Sequence, residues 1–164
     1  MPSTPTSSQV IARRCRRRTV VAVAVVSTVC ALLATRLVYA FVHEGKSFAI
    51  EAAVPQLELK ENPFVLREAW WNGELNSGDT KIIQHQLFKR NEYWFWLGCS
   101  QTESKVSIHV YDSEGKLAEA EAWQDQNVAA VRVVPKNSGI YYIRVAIEGA
   151  EENPAEWGVV YAYR

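Results

Sequence analysis

Cysteine is scarce in this sequence, and its placement excludes a disulfide framework for most of the chain. Only three cysteines occur among the 164 residues. Cys15 and Cys30 fall before or within an apolar run near the start, so the remainder contains only Cys99 and cannot form an internal disulfide. The stability of that remainder must therefore come from buried apolar side chains, and the length allows one globular domain.

Acidic residues are missing from the first 42 positions, where six of the 18 Lys and Arg residues lie. Residues 43–164 consequently hold the other twelve against all 18 Asp and Glu, a net charge of −6. Nucleic-acid binding needs a clustered basic face for its phosphate contacts, and this acidic body offers none. We therefore expect no nucleic-acid partner.

The basic residues stand directly before a long apolar run. Residues 19–35 read TVVAVAVVSTVCALLAT, without charge or helix breaker, and follow RRCRRR. Continued to Val42, the run makes a helix of about 36 Å, enough for a hydrocarbon core of about 30 Å. We expect a basic cytoplasmic tail over residues 1–18 and a transmembrane helix over 19–42, because Arg-rich flanks stay on the cytoplasmic side.

A cleaved signal peptide is the alternative interpretation of this segment. Val38-Tyr39-Ala40 is an acceptable cleavage site after an apolar region, and cleavage there would start the mature protein at Phe41. The polar and basic start is long for a signal peptide, which favours the retained anchor. Under both interpretations residues 43–164 lie outside the cytoplasm.

The exported part divides into a leading segment and a strand-rich region. Residues 43–60 mix isolated apolar residues with charges and one proline, so we expect a linker over 43–63 and a domain over 64–164. In the domain, turn signals such as Asn72-Gly73 separate short runs that alternate apolar and polar residues. The runs cover about 64–71, 81–88, 92–99, 105–111, 117–123, 127–134, 139–147 and 156–163. This spacing predicts an all-β antiparallel sandwich of about eight strands.

Alternation inside the runs assigns side chains to faces, because successive residues of a strand point to opposite sides of the sheet. In the third run, within the stretch NEYWFWLGCS, the core set is Tyr93, Phe95 and Leu97, so Trp94 and Trp96 share the opposite face. The same alternation predicts inward positions for Val106, Ile108, Val110, Tyr141, Ile143 and Val145.

Short motifs also follow one another along the predicted strands. They are Gly73 to Leu75 with Gly78-Asp79, then Tyr93/Phe95/Leu97, then Val110 to Gly115, and finally Ser138 to Val145. In this order they resemble the bacterial pre-peptidase C-terminal domain and related jelly-roll accessory modules of secreted proteins. The resemblance covers roughly residues 64 to 163. It implies a jelly-roll-like β-sandwich that binds or scaffolds and does not catalyse.

Metal and catalytic candidates are weak in this sequence. Members of that family often carry Asp residues around the "Y-D" strand, some associated with calcium, where this chain has ESKVS at 103–107 and AEAE at 118–121. Oxygen ligands for calcium could come from Glu58, Glu61, Asn62, Asp112 and Glu114, but Asp112 to Gly115 is also what a turn needs. We therefore predict no cofactor; calcium is possible at these oxygens and is not predicted.

A hydrolase is disfavoured for a similar reason. A Ser or Cys nucleophile needs a His base beside it and a third group to orient that base. None of His43, His85 and His109 has such a sequence context, so solvated strand or flanking positions are expected for them.

The tryptophans make the best binding hypothesis. Exposed on one face about 6.6 Å apart, Trp94 and Trp96 would form a flat stacking surface for a sugar or an apolar peptide, which Trp70, Trp71 and Trp123 could extend. The alternative is that the leading segment or a loop covers both indoles and makes a second small core.

These observations predict a membrane-tethered or exported, non-catalytic β-sandwich module. Its expected partner is a carbohydrate, a peptide or an envelope protein. The alternative is a structural subunit of an envelope complex whose aromatic face is covered by another protein.

Overall fold

The structure is a computed structural model that describes residues 43–150 and 154–164. The predicted cytoplasmic tail, transmembrane or signal segment and cleavage site all lie outside the described residues. Within the described part of the chain, no helix has the length and apolarity to cross a membrane.

Nine strands and one helix form the described part of the chain. The helix α1 covers Glu44–Leu57. The strands are β1 Val65–Leu66, β2 Trp71–Leu75, β3 Thr80–Leu87, β4 Tyr93–Cys99, β5 Lys105–Tyr111, β6 Glu119–Asp125, β7 Val128–Val133, β8 Gly139–Glu148 and β9 Ala155–Tyr163.

The strands form two antiparallel sheets. The larger sheet has the order β1-β9-β4-β7-β6, with β2 also paired to β9, and the smaller has the order β3-β8-β5. The predicted antiparallel β-sandwich is therefore confirmed. The run predicted at 64–71 is instead two strands, because β1 pairs with residues 162–163 of β9 and β2 with residues 155–159.

The main core lies between the two sheets, where the alternating apolar residues of both meet. Tyr93, Phe95 and Leu97 of β4 face inward, as predicted. The predicted inward sets of β5 and β8 are likewise buried there, namely Val106, Ile108, Val110, Tyr141, Ile143 and Val145. A sandwich buries only one face of each sheet in this way, so the outer faces contact either solvent or a further element.

The leading segment predicted as a linker is the helix α1, so that prediction is wrong. The compact unit begins at His43 and not at residue 64. The sequence EGKSFAIEAAVPQL is rich in good helix formers, and its small residues Gly45, Ala49 and Ala53 recur every four positions on one helix face. All three are buried.

Helix α1 lies on the outer face of the larger sheet at unusually short range. A Cβ added to Gly45 would lie 2.8 Å from the carbonyl oxygen of Gly98, and one added to Gly158 would lie 2.8 Å from the backbone nitrogen of Lys46. Only glycine permits such close approach of two backbones. These contacts position the first turn of α1 across β4 and β9.

Candidate functional site

Trp94 and Trp96 are not an exposed surface, and the prediction that they form one is wrong. Their side chains are 2% and 0% exposed. The two rings stack with centroids 5.7 Å apart and an interplanar angle of 15°. Ala49 and Ala53 of α1 pack against them in a second small core. The physical reason is that alternation along β4 turns both rings away from the main core. The buried face of α1, which consists of small residues, then covers them.

Trp70 and Trp71 lie elsewhere and do not extend that pair into one platform. Trp70 is half-buried near the first turn of α1, with the Lys46 ammonium 4.2 Å from its ring centroid. Trp71 packs instead against the core between the sheets, stacked on Tyr161 at 5.2 Å and edge-on to His85 at 5.0 Å. Consecutive residues thus serve opposite sides of the larger sheet.

Trp123 is the predicted site residue that keeps a substantially exposed ring, at 39%. It lies on β6, directly opposite Ala130 of β7, which is in turn opposite Trp96 of β4. The three side chains therefore share the outer face of the larger sheet. Helix α1 covers β4 and leaves the ring of Trp123 open beside it.

Strand β6 is the outermost strand of the larger sheet and pairs with β7 alone among the described strands. On its other side, β5 hydrogen-bonds to the residues at both ends of β6: the Val106 N–H donates to the Gln126 carbonyl, and the Ala118 N–H donates to the Val110 carbonyl. The β6 sequence EAEAWQD would prefer a helix by intrinsic propensity, but it is a strand that begins and ends two residues after the run predicted at 117–123. All of its residues except Glu119 are exposed. A bulge between Glu119 and Glu121 interrupts the regular pairing with β7.

Three clefts follow this edge from one end of β6 to the other, and we call them together the β6 groove. The inner cleft, about 250 Å³, lies between β5 and β6 and is lined by Ile108 and Ala122. The outer cleft, about 280 Å³, lies between α1 and β6 and is lined by Phe48 and Asp125. Trp123 lines both of them.

The third and largest cleft, about 490 Å³, lies at the start of β6. It is bounded by the turn between β5 and β6 and by the connection between β7 and β8. Leu117, Val134 and Ile140 line it and are exposed, which gives it an apolar wall. A cleft of this volume is within the usual range of small-ligand sites.

Polar contacts hold the walls of the β6 groove in place. A Glu119 carboxylate oxygen accepts a hydrogen bond from the Val110 backbone N–H at 3.0 Å and lies 3.0 Å from Nδ1 of His109. This carboxylate joins β5 of the smaller sheet to β6 of the larger one. It therefore sets the width of the inner cleft.

A second charged network supports the outer face of the larger sheet. Arg132 donates from Nε to Glu121 at 3.1 Å and also to Glu92, which accepts from Arg164 at 2.8 Å. Burial raises the pKa of the Glu92 carboxyl, but hydrogen bonds and charge from the two arginines outweigh burial and hold the pKa below its usual value. Glu92 consequently stays ionised and orients Arg132 beside β6.

The acidic candidates at Asp112 and Glu114 have local partners in the hairpin turn. One Asp112 oxygen accepts hydrogen bonds from the Glu114 and Lys116 backbone N–H groups, each at 2.9 Å, and Gly115 has a φ of +77°. This geometry is an Asx-type turn, in which the carboxylate serves the backbone. Among the described residues, no three His, Cys, Asp or Glu side chains lie close enough together to hold a metal ion.

The three histidines each have partners in the fold. Nδ1 of His43 lies 2.8 Å from a Glu156 carboxylate oxygen, and His109 contacts Glu119. His85 lies among aromatic rings, and burial lowers the pKa of its imidazole. The expected solvated positions therefore describe the three rings only in part, because each ring is half-buried and contacts a carboxylate or other rings.

Sequence reasoning missed two walls of the β6 groove, α1 and β5. The sequence signal for α1 was the four-residue spacing of Gly45, Ala49 and Ala53. Because these side chains are small, the hydrophobic periodicity that they produce is weak. No sequence signal indicated that Glu119 reaches across to β5. Comparison with models of known protein families finds no match, and a search of curated proteins finds none at a significant level.

Proposed function

We propose that this protein is a membrane-tethered, extracytoplasmic β-sandwich module that binds its ligand in the β6 groove and has no catalytic role. The observation that carries the proposal is that three clefts follow one exposed edge strand, with the ring of Trp123 between two of them. Tryptophan is among the residues that dominate binding energy at interfaces.

The location rests on the sequence. Five arginines precede an apolar run long enough to span a membrane, and the rest of the chain is acidic. The retained anchor remains our preferred interpretation, and cleavage after Ala40 is its alternative. A C-terminal reporter enzyme active outside the cytoplasm would agree with both, whereas activity in the cytoplasm would contradict both.

The jelly-roll topology and the resemblance to the pre-peptidase C-terminal domain are part of the proposal. The strand orders support the jelly-roll topology. In the larger sheet, which contains β2-β9-β4-β7, the early strand β2 pairs with the last strand β9, and the smaller sheet has the order β3-β8-β5. Domains of this kind carry binding residues on loops and strand ends that a rigid scaffold of strands positions.

The non-catalytic role is supported by how the titratable side chains are used. His43 and His109 are engaged with carboxylates, and His85 is packed among rings. A general base must instead reach a reacting group in a substrate pose.

The test is ligand binding by the full chain in phospholipid nanodiscs, with oligosaccharides, peptides and envelope proteins as candidates. We expect Trp123→Ala to weaken binding at least about tenfold, since loss of an interface tryptophan commonly costs more than 1.4 kcal/mol. Ile82→Ala is the matched control, because Ile82 is an exposed apolar residue on the edge strand of the other sheet. If Ile82→Ala weakened binding and Trp123→Ala did not, the β6 groove would not be the site.

A structural subunit is the second candidate function. The observation in its favour is the exposure of Leu117, Val134 and Ile140 around the largest cleft, an apolar wall of the kind that stable partners cover. Stable co-purification with one envelope protein, together with poor solubility of the chain without it, would favour this role over reversible ligand binding.

A further inference from the structure

We infer that the outer cleft of the β6 groove, between α1 and β6, is a binding site for an organic ammonium group that carries methyl substituents. The inference rests on the proposed function and names a ligand class for one of its three clefts. It follows from two aromatic rings in the cleft, from two carboxylates beside them and from the lack of any cationic side chain in the lining.

Two elements bring the functional groups of the cleft together. On α1, Phe48 and Glu51 stand three positions apart, a spacing that places side chains on the same face of a helix. On β6, Trp123 and Asp125 stand two positions apart, a spacing that places side chains on the same face of a sheet. Each element therefore contributes one ring and one carboxylate, and the cleft of about 280 Å³ lies between the two pairs.

The turn after β6 adds a fixed polar side chain to the lining. Asn127 is buried, its side-chain nitrogen donates to the Cys99 carbonyl at 2.8 Å, and its backbone carbonyl accepts from the Cys99 N–H at 2.9 Å. The side-chain oxygen of Asn127 accepts no hydrogen bond from any described residue. The turn thus brings a further oxygen acceptor to the same cleft as the two carboxylates.

The carboxylates of the cleft carry uncompensated charge. Glu51 and Asp125 are exposed, and neither makes a hydrogen bond or ion pair with any residue that the structure describes. The lining contains no Lys, Arg or His. Arg132 lies on the same face of the larger sheet, but Glu92 and Glu121 bind its guanidinium. The electrostatic field of the cleft therefore favours a cation.

The rings select the chemistry of that cation. The face of an aromatic ring attracts cations, and quaternary ammonium groups are recognised by aromatic side chains around them. Three cation–ring contacts occur within the described part of the chain, namely Lys46 on Trp70, Arg67 on Tyr163 and Arg164 on Phe64. Trp123 has an exposed ring and receives no such cation from the described residues. A methylated ammonium ligand would supply one and would place its methyl groups against Trp123 and Phe48.

Other ligand classes match the cleft less well. The two carboxylates repel an anionic group, and a neutral sugar leaves their charges unbalanced. A calcium ion takes roughly six to eight oxygen ligands. Over the residues that the structure describes, no three His, Cys, Asp or Glu side chains are grouped in a way that could hold a metal ion. An organic ammonium group uses both the carboxylates and the rings.

The experiment is a calorimetric titration of the full chain in a polyoxyethylene detergent, which has no charge, amine or sugar. Choline is the probe, and 3,3-dimethylbutanol is its neutral counterpart of the same shape. We expect choline to bind and dimethylbutanol not to bind at the same concentrations. A trimethyllysine peptide and phosphocholine then distinguish a protein side chain from a lipid-type head group as the source of the ammonium. Calcium chloride tests the metal alternative.

Charge and ring variants separate recognition from folding. The double variant Glu51→Gln/Asp125→Asn should weaken choline binding at least about threefold, because two nearby charges are lost. Trp123→Ala should weaken it about two- to thirtyfold, the range expected for one cation–ring contact. Glu74→Gln is the matched control, since Glu74 is an exposed acid on β2 at the opposite edge of the same sheet. Unchanged melting temperatures show that each variant is folded, as expected for exposed positions.

Each opposing result overturns a stated part of the inference. Equal binding of choline and dimethylbutanol shows that the charge is not recognised, and choline binding that survives the double variant unchanged excludes this cleft. Calcium binding that the double variant abolishes, without choline binding, shows a metal site instead. No choline binding, together with an oligosaccharide or peptide whose binding Trp123→Ala weakens, excludes the ammonium ligand and leaves the proposed function standing. If binding of no probe or candidate ligand depends on Trp123, both are wrong.

Discussion

The outer faces of the two sheets have similar alternation but opposite fates. On the larger sheet, Trp94 and Trp96 point away from the main core and are buried beneath α1. On the smaller sheet, the equivalent outward positions of β3 include Ile82, which is 59% exposed, and Gln84. Pointing away from the sandwich core therefore does not mean facing solvent, and only a covering element distinguishes the two faces.

The largest effect that tests this comparison is removal of a covered ring. Trp96→Ala should destabilise the protein by about 3–5 kcal/mol, because it leaves a cavity between α1 and the sheet. Ile82→Ala on the uncovered face should cost less than about 0.5 kcal/mol. Denaturant unfolding of both variants measures the difference. Similar small losses would mean that α1 does not seal the larger sheet.

The second effect compares the inner and outer faces of one strand. Ile143 is fully buried between the sheets, whereas its neighbour Arg144 on β8 is directed outward. Ile143→Ala should cost about 2–5 kcal/mol and Arg144→Ala well under about 1 kcal/mol. Equal losses measured by chemical denaturation would contradict the strand register.

The third effect tests the backbone contact between α1 and the sheet. A methyl group at Gly98 would collide with the backbone of α1, and we expect Gly98→Ala to cost about 1–3 kcal/mol. Gly139→Ala is the matched control, because an added Cβ there meets no atom within 4 Å. Thermal unfolding of the two variants should therefore differ clearly, and a neutral Gly98→Ala would place the helix further from the sheet.

The smallest expected effect is the pH dependence of the unfolding free energy that comes from His85 on β3. Burial lowers the pKa of His85 below its usual value of 6.5, so the unfolded chain takes up this proton first as the pH falls. The corresponding stability is present above pH 6.5 and is lost as the pH falls through the lower folded-state pKa.

His85→Gln should make the unfolding free energy less sensitive to pH in that window, which a series of denaturation curves would measure. The loss linked to Glu92 belongs to a more acidic window, because its pKa is lowered from 4.5. An unchanged slope for His85→Gln near pH 6 would show that the imidazole is solvated.

The candidate site was only partly predictable. Trp123 was named from the sequence, but as an extension of a platform made by Trp94 and Trp96, and that platform is covered. The clefts beside Trp123 depend on Phe48 of α1 and Ile108 of β5, which are far from it in sequence. Local sequence patterns predict which side chains share a face of a strand. A cleft, in contrast, depends on which other elements pack near that face and how much of it they leave uncovered.

The sequence by itself determined the sandwich, because a period of two between turn signals assigns one face of each strand to a core whatever the arrangement of the sheets. Only the tertiary structure decided which outer face was covered. The residues that dock α1 are Gly45, Ala49 and Ala53, whose small side chains leave a weak hydrophobic pattern. Their contact with the sheet depends on Gly98 and Gly158, which come together only when β4 and β9 pair.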